Sequence, residues 1–222
     1  MNARARQAGR ARPGAGPGSV RIVGGRWRGT RLAVGDAPGL RPSSDRVRET
    51  LFNWLQGRLA GARVVDAFAG SGALGLEAAS RGAARVTLVE RDPALVASLR
   101  ATVARLEGAG ARVEVVGGDA LAWLEAQPPA SIDLALLDPP FAADLLPRTI
   151  ALLRPRLADD ALVYVECGRE QDWPVPAEWR LHREGSTRDV RFALLRAGPA
   201  GAARIDGPLE SPGPGPQEPT RA

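Results

Sequence analysis

The chain has 222 residues, enough for one ordinary domain with tails. With 44% hydrophobic and 25% charged residues the composition is globular, which argues against a wholly disordered chain. The apolar runs stop well short of the roughly 18 residues of a membrane span. A single cysteine, Cys167, excludes an intramolecular disulfide framework and a cysteine-only metal site. A single histidine, His182, argues against a zinc enzyme or a Ser-His-Asp hydrolase, so cofactor chemistry without a metal is expected.

All 30 basic residues are arginine, and they are unevenly placed. Residues 1–31 hold eight arginines and no acid, whereas residues 32–222 hold 22 arginines against 25 acids, a net of −3. A basic arm of this kind suits a polyanion, nucleic acid first; a solvated tail is the alternative for residues 1–18. The N-terminal stretch is charged without an apolar segment, so it does not read as a secretory signal, and a cytoplasmic location is expected.

Residues 1–18 and 198–222 are rich in Gly, Pro, Ala and Arg and are expected to be disordered tails. Residues 19–59 read as an N-terminal hairpin and helix, and 60–197 as the main domain. Within 20–34, two short strands flank Gly-rich turns. Arg21, Arg26, Arg28 and Arg31 surround Trp27, whose ring suits either base stacking or core packing. Ser43, Ser44 and Asp45 are N-cap candidates for a helix over 43–57, with Val47, Leu51, Trp54 and Leu55 on one stripe and Gly57 as the stop. Arg41, Arg46 and Arg48 at its entrance extend the expected basic surface.

From residue 63 strand and helix alternate. Strands are predicted at 63–69, 85–90, 112–116, 132–138 and 161–167, with helices at 73–81, 93–107, 120–127 and 144–156. Two further β runs, 179–184 and 189–196, close the domain. The pattern predicts an α/β fold: a mostly parallel seven-stranded sheet with helices on both faces. The last strand is expected to run antiparallel at or near an edge. Ligands of such sheets bind at the carboxyl ends of the strands.

Gly70, Gly72 and Gly75 satisfy G-x-G-x-x-G at the first strand-to-helix turn, and Glu90 follows 20 residues after Gly70. A nicotinamide dehydrogenase is the first candidate. Asp66 argues for another ligand, because a carboxylate at that strand end repels pyrophosphate but stabilises the ammonium and sulfonium of S-adenosylmethionine. Glu90 then grips the ribose. Asp119 accepts from the adenine amino group or caps the next helix, and Ala120 offers its N–H.

The fourth strand ends in Asp138-Pro139-Pro140-Phe141. Two prolines hold a rigid extended loop that presents the Asp138 carboxylate and Pro139 carbonyl as acceptors beside an aromatic face. Two acceptors on an exocyclic amine localise its lone pair toward a methyl donor, and Phe141 stacks on the base. Catalysis is then mostly positioning and charge stabilisation. Carbon-5 pyrimidine methylation needs a thiolate, and Cys167 lies elsewhere, read as a small buried residue.

The Asp66-to-Gly72 run, Glu90 and D-P-P-F resemble the Rossmann-like class I methyltransferases that use S-adenosylmethionine. RIVGGRWRGTRL, GLRPSSDRVRETLFNWL, DAFAGSGALGLEA, DPPF, ALVYVE and WRLHRE together resemble the RsmD family of bacterial 16S rRNA guanine-N2 methyltransferases, over about 20–197. The resemblance implies cofactor binding by Asp66, Phe68, Gly70, Ser71, Gly72, Glu90, Arg91, Asp119 and Ala120. It implies a target guanine held by Asp138, Pro139, Pro140 and Phe141, and rRNA contacts from the hairpin and helix, with Arg21, Arg26, Trp27, Arg28, Arg31, Arg41, Arg46 and Arg48. The implied substrate is guanine 966 (standard rRNA numbering) of 16S rRNA in an assembled or assembling small subunit. A monomer is expected, with no membrane partner. A DNA adenine-N6 methyltransferase, a protein-glutamine methyltransferase and a non-catalytic RNA-binding module remain alternatives. The first lacks room for a target-recognition domain, and the second leaves the basic arm unexplained. Intact Glu90, Asp119 and Asp138 argue against the third.

Overall fold

Strand and helix alternate as the hydrophobic pattern predicts. The computed structural model describes residues 19–33, 45–140, 145–171 and 175–198. The expected tails lie outside these residues. β1 (Ser19–Arg21) and β2 (Arg31–Ala33) pair as a small antiparallel hairpin. Then follow α1 (Asp45–Trp54), β3 (Arg63–Asp66), α2 (Ala73–Ser80), β4 (Arg85–Glu90), α3 (Pro93–Arg105), β5 (Val113–Gly117) and α4 (Ala120–Glu125). β6 (Ile132–Leu137), α5 (Leu146–Leu153), β7 (Leu157–Gly168), β8 (Arg180–Ser186) and β9 (Val190–Arg196) complete the described chain. No helix among the described residues is long and apolar enough to cross a membrane.

The main sheet has seven strands in the order β5-β4-β3-β6-β7-β9-β8. The first five are parallel, and β9 runs antiparallel between β7 and β8. The closing pair has no helix to carry a crossover, so the last strand can only return antiparallel. The order reverses between β3 and β6. That switch point opens a crevice at the carboxyl ends of the strands.

Alternating residues along each strand feed two cores. Val64, Leu88, Leu136, Leu162 and Leu194 face α1, α2 and α3. Val65, Val89, Leu137, Val163 and Leu195 lie in the second core with α4 and α5 residues. Val20, Ile22, Trp27 and Leu32 of the hairpin belong to the first core, together with Val47, Leu51 and Leu55. Residues 19–33 and 45–55 are thus built into the same packed unit as the main sheet. Every residue of α2 is buried, because the helix lies between the sheet and this N-terminal layer.

Several boundaries differ from the expected ones, α1 ending at Trp54 and α5 at Leu153 among them, and two differences have a clear physical cause. β3 stops at Asp66, and residues 67–69 leave the ladder while keeping single bonds, Ala67 N–H to Leu136 O and Ala69 N–H to Val89 O. β7 begins at Leu157, not 161, because it carries a bulge: Ile132 pairs with Leu157 but Leu134 with Leu162. Asp160 in the bulge has φ +65, and its carboxylate is held by Arg58 and Arg196. Long-range ion pairs support a conformation that local pattern argues against.

Candidate active site

The turn after β3 is shaped by its glycines. Gly70 and Gly72 have φ of +52 and +77, a region that disfavours side chains. Gly75 serves close packing: a Cβ there would lie 2.2 Å from Leu88 Cδ2 and 3.1 Å from Asp66 Cβ. α2 can therefore press its first turn against the strand end.

Asp66 is fully enclosed under that turn. Its Oδ2 accepts from the Gly75 N–H at 2.9 Å, while Oδ1 has no hydrogen-bond partner. Burial pushes its carboxyl up to about 7; the Gly75 and Phe68 N–H groups pull it down and Glu90 adds to the rise. The arrangement tests the two ligand classes. A helix N-terminus binds pyrophosphate through free N–H groups. Here the Gly75 N–H already serves the Asp66 carboxylate. A buried carboxylate with an unpartnered oxygen favours a cationic ligand over a phosphate, so the residues fit S-adenosylmethionine.

Glu90 ends β4 beside this turn. Its Oε2 accepts from Gly70 N–H and its Oε1 from Asp92 N–H, both at 2.8 Å. The carboxylate ties the glycine turn to the start of α3, and each oxygen keeps a lone pair for a ribose hydroxyl. Asp119 caps α4, with Oδ1 accepting from Leu121 and Ala122 at 3.0 Å each. Its Oδ2 takes no hydrogen bond from the described residues. Phe68 and Ser71 are half-buried on the turn, Ala120 is buried, and Arg91 is exposed. The ends of β3, β4, β5 and β6 meet here in register: Asp66 lies against Leu88 and Leu136, and Glu90 against Gly117.

Across the switch point, β6 runs into Asp138-Pro139-Pro140. Asp138 is half-buried, Pro139 buried and Pro140 exposed. Phe141 lies outside the described residues, as does Arg41.

The N-terminal layer departs from expectation at two residues. Trp27 is 7% exposed, its indole N–H donating to Glu107 O at 3.1 Å. Its ring is core, and the expectation of base stacking is corrected. Arg48 has no exposure and pairs with Asp45 at 2.6 Å and with Glu77 at 3.8 Å, so it adds nothing to the basic surface. Arg21, Arg26, Arg28, Arg31 and Arg46 are exposed, and Arg26 reaches Glu107.

Sequence reasoning missed a buried polar clamp. Glu77 on α2 accepts from the Val23 and Gly24 N–H groups at 2.6 and 2.7 Å, and from Arg81 at 2.7 Å. Ser80 donates to Gly24 O and accepts from Trp27 N–H. A lone carboxylate within the apolar run ALGLEAAS was the available signal. Glu166, near the end of β7, is a second buried carboxylate without a local signal. It is 3% exposed and accepts from the Tyr164 hydroxyl at 2.7 Å.

A doubly wound sheet with a glycine turn, an open buried carboxylate and a strand-end Asp-Pro-Pro loop at its switch point is a Rossmann-like methyltransferase. A family model described as Conserved hypothetical protein 95 matches residues 20–196. The chain is 48% identical over 194 residues to Ribosomal RNA small subunit methyltransferase D of Escherichia coli (strain K12), covering 86% of this chain and 96% of that protein. It is 39% identical over 182 residues to the protein of the same name from Haemophilus influenzae (strain Rd), covering 81% and 94%. The solved structure of the E. coli protein yhhF superposes with a TM-score of 0.74 at 46% identity, covering 82% of this chain and 99% of that one. The chain belongs to this family, the RsmD family.

Proposed function

We propose that this chain transfers the methyl group of S-adenosylmethionine to the exocyclic N2 of a guanine in 16S rRNA, guanine 966 in standard rRNA numbering. The observation that carries the reading is the buried Asp66 carboxylate with one unpartnered oxygen, set across the switch point from Asp138-Pro139. The bound cofactor supplies an electrophilic methyl. Asp66 offsets its positive charge, Glu90 and Asp119 hold its ribose and adenine, and the glycines admit it close to the backbone.

Asp138 and the Pro139 carbonyl accept the two N–H bonds of the target amine. This turns the nitrogen lone pair toward the methyl and stabilises positive charge as it develops on nitrogen. Asp138 then takes the proton that the methylated amine releases, and Phe141 stacks on the base. The exposed Arg21, Arg26, Arg28, Arg31 and Arg46 contact rRNA phosphates, so residues 19–59 act as the rRNA-facing part and 60–197 as the catalytic part. The substrate is an assembled or assembling small subunit, and the enzyme works as a cytoplasmic monomer.

The test incubates the protein with labelled S-adenosylmethionine and unmodified small subunits, naked 16S rRNA or duplex DNA, followed by nucleoside mass spectrometry. N2-methylguanosine from the subunits is expected, and N6-methyladenine in DNA would overturn the reading. Asp138→Ala should bind cofactor normally and lose turnover by about 10²–10⁴-fold.

A further inference from the structure

The N-terminal hairpin is bolted to the far end of α3. Trp27 donates its indole N–H to Glu107 O at 3.1 Å, and Arg26 pairs with the Glu107 carboxylate at 2.9 Å. The two segments joined in this way are both basic. Residues 19–33 hold four arginines and no acid; residues 93–113 hold Arg100, Arg105 and Arg112 against Glu107 alone. Arg105 is the last residue of α3, and Arg112 stands just before β5. Arg28, Arg105 and Arg112 are exposed, and no carboxylate among the described residues pairs with any of them.

The other arginines at the amino ends of the strands are treated differently. Arg63 is held by Asp133, Arg85 by Glu114, and Arg58 and Arg196 by Asp160. Where the hairpin meets α3, the two nearby acids are already engaged: Glu107 by Arg26 and Glu114 by Arg85. Three like charges are therefore left uncompensated on one corner, an arrangement that repels itself in the free protein and that a polyanion relieves. The corner is remote from the chemistry. α3 starts at Asp92, whose N–H donates to Glu90 Oε1, and a helix of 13 residues spans about 20 Å.

We infer that Arg28, Arg105 and Arg112 form a phosphate-binding corner, which grips the backbone of the substrate rRNA about 20 Å from the cofactor end of the sheet. This rests on the rRNA-methylation reading above and carries the RNA-facing surface past the N-terminal layer into the methyltransferase part. The contact is to phosphate, so it adds affinity and orientation without reading sequence. A grip this far from the target base engages RNA that is folded back against the enzyme, as in a subunit, and the isolated target loop does not reach it.

The test measures binding of the full chain to unmodified small subunits over a range of salt, together with kcat and KM for methyl transfer to them. Arg105→Ala and Arg112→Ala should each weaken binding by about 3–10-fold near 0.1 M salt and lower the salt slope by about 1, and the double variant by about 2. The KM for subunits should rise with the loss of binding, while kcat at saturation stays within about two-fold. Arg148→Ala is the control. Arg148 is equally exposed, on α5, which packs on the opposite face of the sheet, and its removal should leave the slope at the parent value. Unchanged slopes for Arg105→Ala and Arg112→Ala, or an equal drop for Arg148→Ala, overturn the inference. Weaker binding with an unaltered slope overturns it as well, because it marks a protein partner in place of phosphate. A parent chain that methylates no subunit rRNA sinks the methylation reading itself. A methylating parent matched by both variants sinks only the corner.

Discussion

α2 separates two buried carboxylates that are treated in opposite ways. Glu77, on the hairpin side, is saturated by two backbone N–H groups and Arg81, with Arg48 at 3.8 Å. Asp66, at the end of β3, accepts a hydrogen bond from Gly75, and its enclosed Oδ1 has no partner. A buried charge persists only when it is paired and hydrogen-bonded, or else it takes up a proton. Glu77 follows the first course and glues the N-terminal layer to the helix. Asp66 follows the second until a cation arrives. Under the proposed function the difference separates a group that builds the fold from one that meets the cofactor, although both have essentially no exposure.

Breaking the saturated side should have the largest effect. Glu77→Ala leaves the Val23 and Gly24 N–H groups unpaired and removes the carboxylate beside the buried Arg48 and Arg81, and should cost about 3–5 kcal/mol in denaturant unfolding. A loss below about 1 kcal/mol would show that the clamp is dispensable. The reserved side should respond to pH instead. Without cofactor, Asp66 holds its proton in the fold up to about 7, whereas the unfolded chain releases it near 3.8. Stability should therefore fall as pH rises from about 4 to about 7, by up to about 4 kcal/mol, and stay flat above. Asp66→Asn should lack this slope and bind cofactor weakly. A cationic cofactor favours the ionised form, so binding below pH 7 should release a proton. Calorimetry in buffers of different ionisation heat measures it, and zero release at pH 6 would count against the charge pairing.

The smallest effects belong to the surface. Arg28→Ala and Arg31→Ala should each weaken subunit binding by a few-fold and lower the salt slope by about 1, with stability within about 0.5 kcal/mol of the parent. Arg48→Ala should do the reverse, destabilising the fold without changing the salt slope. Equal salt slopes for all three variants would erase the distinction between exposed and buried arginine.

Much of the fold is legible because its signals are local. The stretch 85–90 is a strand as predicted, and α3 starts at the Asp92 cap and Pro93 that mark it. The glycines, Asp66, Glu90 and Asp119 converge because each ends a parallel strand or follows one, and the topology brings strand ends together. Arg48, expected on the basic surface, and Trp27, left open between base stacking and core, share one difficulty. Arginine and tryptophan in a basic segment look alike whether they face solvent or core, and the choice depends on Glu77 and on Glu107, residues 29 and 80 positions away in the chain.

What the sequence determined by itself was the order of elements, the glycine turn and the chemistry of its strand-end residues, since periodicity, caps and turns act within a few residues. Tertiary structure alone decided which charges became interior. Glu77, Arg48 and Glu166 are buried because distant elements supply their partners or their cover, and the bulge at Asp160 persists because two arginines from other elements hold it. Burial is a property of the assembled layers. It sets whether a carboxylate becomes a saturated part of the fold or is left with an unpartnered oxygen.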